Sequence, residues 1–395
     1  MKRRHVRLST LLVSLVVGVA CAAQMAPAPR VVDLTATDGI TLKATYFAAA
    51  KPGPGVLLLH QCNRQRKVWD DLAGRLEASG LNVLTVDFRG FGESGGTPLA
   101  KLSPDEAAKL FAEIFPADVD VAFRYLVSQS GVTRDAIGAG GASCGVNQAV
   151  QLARRHPEVK SLVLLSETTD REGREFLRHA QRLPLFMAAA DDDPDDPGVV
   201  ELMQWLFSLS SNPDNRFEHY SAGGHGVEMF AAHKELPGMI VDWFGITLGT
   251  RAGAAAHTAS APVSRESKFL ELTDGPGGVS KAAQMFAEER QRDPSAVLFS
   301  EAVMNRLGYD HLQAGDAKGA VELMKLNVAA YPNSANAYDS LSDAYLADGQ
   351  KDLARRNAKL TLEHLAADTT ETEARRKGIK DNAEQKLKEL GEAHP

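Results

Sequence analysis

Short apolar runs alternate with amphipathic stretches from Val31 to about Leu248. GVLLLH (55–60), LNVLTVDF (81–88), AIGAGGAS (136–143), SLVLLS (161–166) and PLFMAAA (184–190) are bounded by turn residues and are too short for helices, which predicts buried strands. VWDDLAGRLEASG (68–80), DVDVAFRYLVSQS (118–130) and VNQAVQLARRH (146–156) carry apolar residues at helical spacing. Strand and helix in alternation need crossover connections, hence a mostly parallel sheet with helices on both faces. The pair VVDLTAT and ITLKATYFA around Asp38-Gly39 reads as an antiparallel hairpin on one edge.

Over 249–277 the composition shifts to Ala, Gly, Ser, Thr and Pro and the periodicity lapses, which predicts a linker long enough for the flanking parts to fold independently. Residues 278–391 read as helical throughout. LGYDHLQAGDAKGAV recurs as LSDAYLADGQKDLAR, with Leu307 and Leu341, Leu312 and Leu346, Gly315 and Gly349, and Ala320 and Ala354 each 34 residues apart. That period, with a glycine at the inter-helix turn and small residues where helices touch, resembles the tetratricopeptide repeat over about 275–367. The charged segment 371–391 reads as a helix that solvates the end of the stack. Such a stack usually leaves a groove, so a protein partner on the repeats is one expectation.

Lys2, Arg3, Arg4 and Arg7 precede LSTLLVSLVVGVA and the small residues ACAA, the layout of a secretory signal over 1–23. The mature chain is therefore expected to be extracytoplasmic, periplasmic or secreted, with lipoprotein anchoring through Cys21 as a variant of that reading. The apolar run falls short of the ~20 residues of a membrane span, and the mature chain has no other candidate. Its 395 residues suggest two to three domains. A hydrophobic content of 44% excludes disorder along the whole chain. Against 44 Lys and Arg stand 51 Asp and Glu, and beyond the first residues no dense basic run occurs, which argues against a nucleic-acid partner. Cys21, Cys62 and Cys144 lack metal-ligand spacing, so no metal is expected.

GASCG (141–145) fits G-x-S-x-G between a predicted strand and a predicted helix, the setting in which a sharp turn projects the Ser143 hydroxyl above a sheet. GESGG (92–96) fits the same pattern at Ser94, but TPLAKLSP rather than a helix follows it. Gly90, Gly92 and Gly95 also spell G-x-G-x-x-G, again with no helix at the third glycine, so no cofactor is expected. A serine hydroxyl needs a base oriented by a carboxylate. LPLFMAAADDDP sets Asp191, Asp192 and Asp193 directly after a strand, and RFEHYSAGGHG leads from the next strand to His225, giving the chain order Ser, Asp, His.

Through LLLHQ, NVLTVDFRGFGES, GASCG, LPLFMAAADDD and AGGHG, residues 31–248 resemble the α/β-hydrolase superfamily, particularly its dienelactone-hydrolase-like esterases. The resemblance implies Ser143 as nucleophile, His225 as base and Asp193 as the orienting acid, with Asp192 and Glu167 as alternative acids. It also implies an oxyanion hole from the N–H of Cys144 and a second N–H from the turn after LLLH, where the matching residue is Cys62. This chain has Gln61 where such proteins usually carry glycine. His60 reads as a structural residue closing its strand. Dienelactone hydrolases use an elbow cysteine, but for Cys144 the flanking positions are Ala142 and Val146 rather than glycines, so Ser143 is preferred.

The expected function is exported serine hydrolysis of a small-molecule carboxylic ester or thioester through an acyl-enzyme. Only about seventeen residues separate SLVLLS from LPLF, a common insertion point for lids, which predicts an open site with no large cap. The alternative is an inactive hydrolase-fold platform whose repeats bind a protein partner. Two N–H groups gripping one oxygen lie close together, so the oxyanion hole that the resemblance implies would bring Cys62 and Cys144 near the range of a disulfide, which an oxidising compartment would permit. Two small residues packing there unbonded is the simpler expectation.

Overall fold

The computed structural model describes residues 26–253, 263–275, 277–367 and 372–391; the expected signal segment, Cys21 included, lies outside the described residues. One eight-stranded sheet has the order β1-β2-β4-β3-β5-β6-β7-β8. Its strands are β1 (Arg30–Thr35), β2 (Thr41–Phe47), β3 (Gly53–Leu59), β4 (Asn82–Val86), β5 (Val132–Ala142), β6 (Val159–Leu165), β7 (Leu185–Ala190) and β8 (Arg216–Tyr220). β1 and β2 form the expected hairpin, β2 runs antiparallel to β4, and every other pairing is parallel.

The central strands are continuous apolar runs because helices cover both faces. Alternate side chains of β3 divide between two cores: Val56 and Leu58 join Trp69, Phe186, Trp243 and Phe244, whereas Leu57 and Leu59 join Phe88, Phe115, Phe123 and Met203. Helices α1 (Asp70–Ala78) and α8 (Leu236–Thr247) supply the first core. Helices α3 (Phe115–Ser128), α4 (Cys144–Arg155) and α6 (Val199–Leu209) supply the second. The short α2 (Pro104–Lys109), α5 (Arg171–His179) and α7 (Met229–Ala232) occupy connections between strands and larger helices. This is the α/β-hydrolase fold, a mostly parallel sheet between two helical layers.

Beyond α8 the described residues form the helices α9 (Arg265–Asp274), α10 (Gly278–Arg292), α11 (Glu301–Gln313), α12 (Ala317–Ala330), α13 (Ala335–Ala347), α14 (Lys351–Ala367) and α15 (Glu373–Glu389) and the turns between them. The 34-residue recurrence has a structural counterpart. Leu307 and Leu341 are buried, as are Ala320 and Ala354. Gly315 and Gly349, each at φ 77°, turn the chain between paired helices where an L side chain would be strained. The segment 371–391 does more than solvate the stack: α15 buries Ile379, Ala383 and Leu387, and Lys386 Nζ lies 2.8 Å from Asp339 Oδ1 and 2.7 Å from Asp343 Oδ1.

Two expectations require correction. The stretch 249–277 is not linker throughout, because α9 lies within it. Ser264 accepts the Ser267 N–H at 3.0 Å as its cap, and Phe269 and Leu270 are buried with Leu202 and Trp205 of α6. The low-complexity residues on its N-terminal side mask this apolar pair. Nor is the helical part a tethered neighbour. The fully buried Arg174 of α5 donates to Asp274 Oδ1 at 2.8 Å, to Asp310 Oδ2 at 3.1 Å and to the Thr169 carbonyl at 2.7 Å, and its guanidinium lies 5.1 Å from the Trp205 ring centre. No helix among the described residues is long and apolar enough to cross a membrane.

Candidate active site

Ser143 follows β5 and caps α4 with φ 50° and ψ −128°, a conformation that L residues seldom adopt and that signals local strain. Its surroundings explain why small residues flank it. A side chain at Gly141 would collide with the Gly145 carbonyl, and one at Gly145 with the Leu59 and His60 carbonyls. The turn is held by Ser143 N–H donating to the Leu165 carbonyl at 2.9 Å and Val146 N–H to the Ser143 carbonyl at 2.7 Å. The hydroxyl makes no capping bond to the helix.

The three aspartates after β7 separate into three roles. Asp191 pairs with His219 at 2.8 Å. Asp192 accepts the N–H groups of Gly223 and Gly224 at 2.7 and 2.9 Å, pinning the loop that carries His225. Asp193 is buried, with its oxygens 2.8 and 2.9 Å from His225 Nδ1, and its Oδ1 also accepts the Asp195 and Asp196 N–H groups, both at 3.0 Å. Glu167, the other alternative acid, pairs instead with Arg306 of α11 at 2.5 Å. Of the carboxylates considered from sequence, Asp193 is the one bonded to the imidazole.

Gln61, in the position where glycine was expected, ties the elements of the site together. Its Oε1 accepts the Val227 N–H at 3.0 Å and its Nε2 donates to Asn63 Oδ1 at 2.9 Å. A side chain at Gly226 would strike Gln61 Oε1 and meet the Ala142 Cβ at 3.3 Å, so the His225 loop abuts both the β3 turn and the end of β5. Arg64 pairs with Glu228, whose other oxygen accepts the His225 N–H at 3.3 Å. Sequence reading missed this bridging role. His60 is structural as expected: its Nε2 accepts the Phe88 N–H at 3.0 Å, leaving Nδ1–H to donate to the Gln61 carbonyl at 2.8 Å.

Cys62 and Cys144 are bonded as a disulfide with α-carbons 5.8 Å apart, which overturns the unbonded expectation. Their backbones are brought together because the turn after β3 meets the first turn of α4. Cys144 is the first residue of α4, where an N–H has no intrahelical acceptor. Cys62 is the second residue of a turn closed by Arg64 N–H to the Gln61 carbonyl at 3.0 Å, which leaves its own N–H outside the turn bond.

Burial by itself depresses the His225 pKa. The hydrogen bond and charge of Asp193, with the charges of Asp195 and Glu167, outweigh it and hold His225 above its ordinary value. Burial pushes Asp196 up to about 6, assisted by Glu167 and Asp193 and opposed by Arg306 and His225.

Ser94 is no rival nucleophile: its Oγ accepts the Lys43 N–H at 2.8 Å and donates to the Asp87 carbonyl at 2.7 Å inside a loop. Gly90 and Gly92 of the glycine-rich motif adopt positive φ there, and a side chain at Gly92 would strike the Asp87 carboxylate. Among the described residues, no group of three His, Cys, Asp or Glu side chains is placed to hold a metal.

The helical part meets the loops beside the site, where Arg306 of α11 pairs with Glu167 and Asp196. A cavity of about 600 Å³ lies between α4, α5 and α11, lined among others by Asn147, Gln151, Arg171, Asp310 and Gln313. Asn147 stands one helical turn beyond Ser143. Neither this cavity nor a hollow of 860 Å³ between α5 and α9 is lined by Ser143, Asp193 or His225.

No family model matches the chain. The acyltransferase drtE of Aspergillus calidoustus is 24% identical over 290 residues, covering 67% of this chain and 90% of that protein. The thiohydrolase aneE of Aspergillus aculeatus is 26% identical over 145 residues, covering 36% of this chain and 43% of that protein. Among solved structures, the Pyrococcus furiosus esterase Pf2001 aligns with 18% identity and a TM-score of 0.45, covering 56% of this chain and 93% of that one. The dienelactone hydrolase from Anabaena variabilis aligns with 17% identity and a TM-score of 0.43, covering 55% and 97%.

Proposed function

We propose that the chain is a serine hydrolase that cleaves a small-molecule carboxylic ester or thioester through an acyl-enzyme. The observation that carries this reading is the buried Asp193 carboxylate on His225 Nδ1, in a loop that abuts the strained Ser143 elbow. With Nδ1–H donated to Asp193, His225 Nε2 is the atom left to take a proton. Ser143 Oγ attacks the carbonyl carbon as Nε2 accepts its proton. The oxyanion is held by the N–H groups of Cys144 and Cys62, and Nε2 returns the proton to the departing alcohol or thiol. Water, activated by the same Nε2, then releases the acid and regenerates Ser143. The Ser143 hydroxyl is not hydrogen-bonded to His225 among the described residues; in enzymes without bound substrate that contact often tightens only in the reacting complex.

The names of the acyltransferase and the thiohydrolase fit a common acyl-enzyme half-reaction, with thioesters within its range. The alternative of an inactive platform explains less. It needs neither the buried acid–base pair nor the strained serine, and the helical part already has an occupant for one face in the hydrolase sheet's own helices. Export fits the signal-like segment and the disulfide, since such bonds persist in oxidising compartments.

The decisive experiment is labelling with a fluorophosphonate and mapping the adduct, alongside turnover of p-nitrophenyl butyrate. Attachment at Ser143, abolished together with turnover in Ser143→Ala, is expected. Attachment at Ser94, or undiminished turnover in Ser143→Ala, refutes the assignment.

A further inference from the structure

The loop that carries Asp193 is held from outside the hydrolase sheet. Arg306 of α11 lies 2.9 Å from Asp196 Oδ2 and 2.5 Å from Glu167 Oε1, so one guanidinium joins the loop after β7 to the loop after β6. The Asp196 N–H in turn donates to Asp193 Oδ1 at 3.0 Å, on the carboxylate that holds His225. The same helix end closes on the loop at two further points. Gly198 sits where a side chain would meet Val303 Cγ2 at 2.8 Å and Ser300 Oγ at 2.9 Å, and Glu201 accepts the Ser300 N–H at 3.1 Å. On the opposite side, Asn63 of the β3 turn donates to Asp195 Oδ2 at 3.0 Å. Glu167 follows Ser166, a buried non-glycine residue at φ 52°, so the chain bends sharply just before the carboxylate that Arg306 holds.

We propose that Arg306 is a positioning residue for the Asp193–His225 pair, making the helical part a working component of the active site. This rests on the serine-hydrolase reading above. The guanidinium fixes the Asp196 side chain, which fixes the backbone N–H that Asp193 Oδ1 accepts, and the carboxylate is thereby kept facing Nδ1. A flexible acid loop would let His225 swing away from Ser143, and small misplacements of a base are costly to the reaction. Arg306 also offsets the negative charge gathered there. It faces Glu167 from the loop after β6, Asp196 from the acid loop, and Asp310 on its own helix, which Arg174 of α5 also holds. His225 faces Asp193, Asp195 and Glu167, with Glu228 on its backbone N–H. Removing the Arg306 charge leaves these carboxylates uncompensated, which favours protonated His225 and moves its pKa further up. Removing the Asp196 charge moves it down.

The test compares full-length wild-type protein with Arg306→Met, Arg306→Lys and Asp196→Asn. Readouts are kcat and KM on p-nitrophenyl butyrate across pH, the His225 imidazole pKa by NMR, and thermal melting. In Arg306→Met, kcat is expected to fall at least ~10-fold, with KM within about twofold. The His225 pKa and the acid limb of the rate profile should both move up. Arg306→Lys, which keeps the charge but not the two-pronged geometry, should recover kcat to within about threefold of wild type. In Asp196→Asn the His225 pKa should move down while kcat again falls. Wild-type kcat with an unmoved His225 pKa in Arg306→Met overturns the proposal. So does a fall in kcat with an unmoved pKa and no recovery by lysine, the signature of a merely structural role. Should Arg306→Met not fold, wild-type kcat and His225 pKa in Asp196→Asn overturn it equally. A wild-type protein that fails to label at Ser143 sinks the hydrolase reading, whereas the NMR shifts report the Arg306 coupling whether or not an ester is turned over.

Discussion

Replacing Cys62 and Cys144 together by alanine removes a bond that closes 82 residues of chain, from the turn after β3 to the elbow at the start of α4. In the chain-entropy treatment a loop of 82 residues stabilises the native state by about 4.5 kcal/mol through loss of freedom in the unfolded chain. Measured values usually fall short of that treatment, so a loss of about 2–4 kcal/mol is expected. For a domain of this size that lowers the melting temperature by roughly 5–15 °C. The effect on turnover should exceed what stability alone explains below the melting temperature. The bond joins the two residues whose N–H groups are assigned to the oxyanion, and loosening such donors costs kcat more than KM. Thermal melting and ester kinetics, on the oxidised protein with and without dithiothreitol and on the double alanine variant, measure both effects. Reductant should reproduce the variant's behaviour and leave the variant itself unchanged. Identical melting and kcat in all four samples would refute the reasoning, as would free thiols at both positions in protein recovered from an oxidising compartment.

Asp193→Asn should lower kcat at least ~10²-fold because the amide stabilises the wrong imidazole tautomer. Asp192→Asn, whose target is two backbone N–H groups of the His225 loop, should cost far less; equal losses measured by ester kinetics would contradict the division of roles. The acid limb of kcat/KM should lie above the ordinary histidine value of about 6.5, because His225 must lose its proton to act as base and its folded-state pKa is raised. The same raised pKa means the His225–Asp193 interaction stabilises the fold fully below that ordinary value and loses its contribution as pH rises through the folded-state pKa, which melting across pH will register. A chain ended at Leu248 should be insoluble or aggregated, since it bares Trp205 and leaves the buried Arg174 without Asp274 and Asp310. Breaking a buried pair in this way typically costs about 3–5 kcal/mol, and a soluble, active truncated monomer would show the helical part to be dispensable.

The elements that local pattern governs were legible in the chain. β3, β5, β6 and β7 are apolar runs too short for helices, and each falls within about four residues of its expected bounds. Gly141 and Gly145 mark the elbow in sequence because only a hydrogen fits between β5, α4 and the carbonyls of Leu59 and His60. A run of three aspartates, by contrast, offers three chemically identical carboxylates. Which one meets His225 depends on the path of the loop after β7, and that path is set by distant partners: the Gly223 and Gly224 amides for Asp192, His219 for Asp191, and the Asp195 and Asp196 amides for Asp193.

By itself, then, the sequence determined the alternation of strand and helix, the elbow at Ser143 and the placing of an aspartate run and then His225 after successive strands downstream of it, because periodicity and steric demand act within a few residues of one another. Tertiary structure decided the rest. The Cys62–Cys144 bond, the bridge from Gln61 to the His225 loop, and the docking of α9 and α11 through Trp205, Arg174 and Arg306 each join residues far apart in the chain. Such contacts leave no local signature: an arginine on a helix looks the same in sequence whether it faces water or pairs with carboxylates on two distant loops, and only the packing of the two parts tells which.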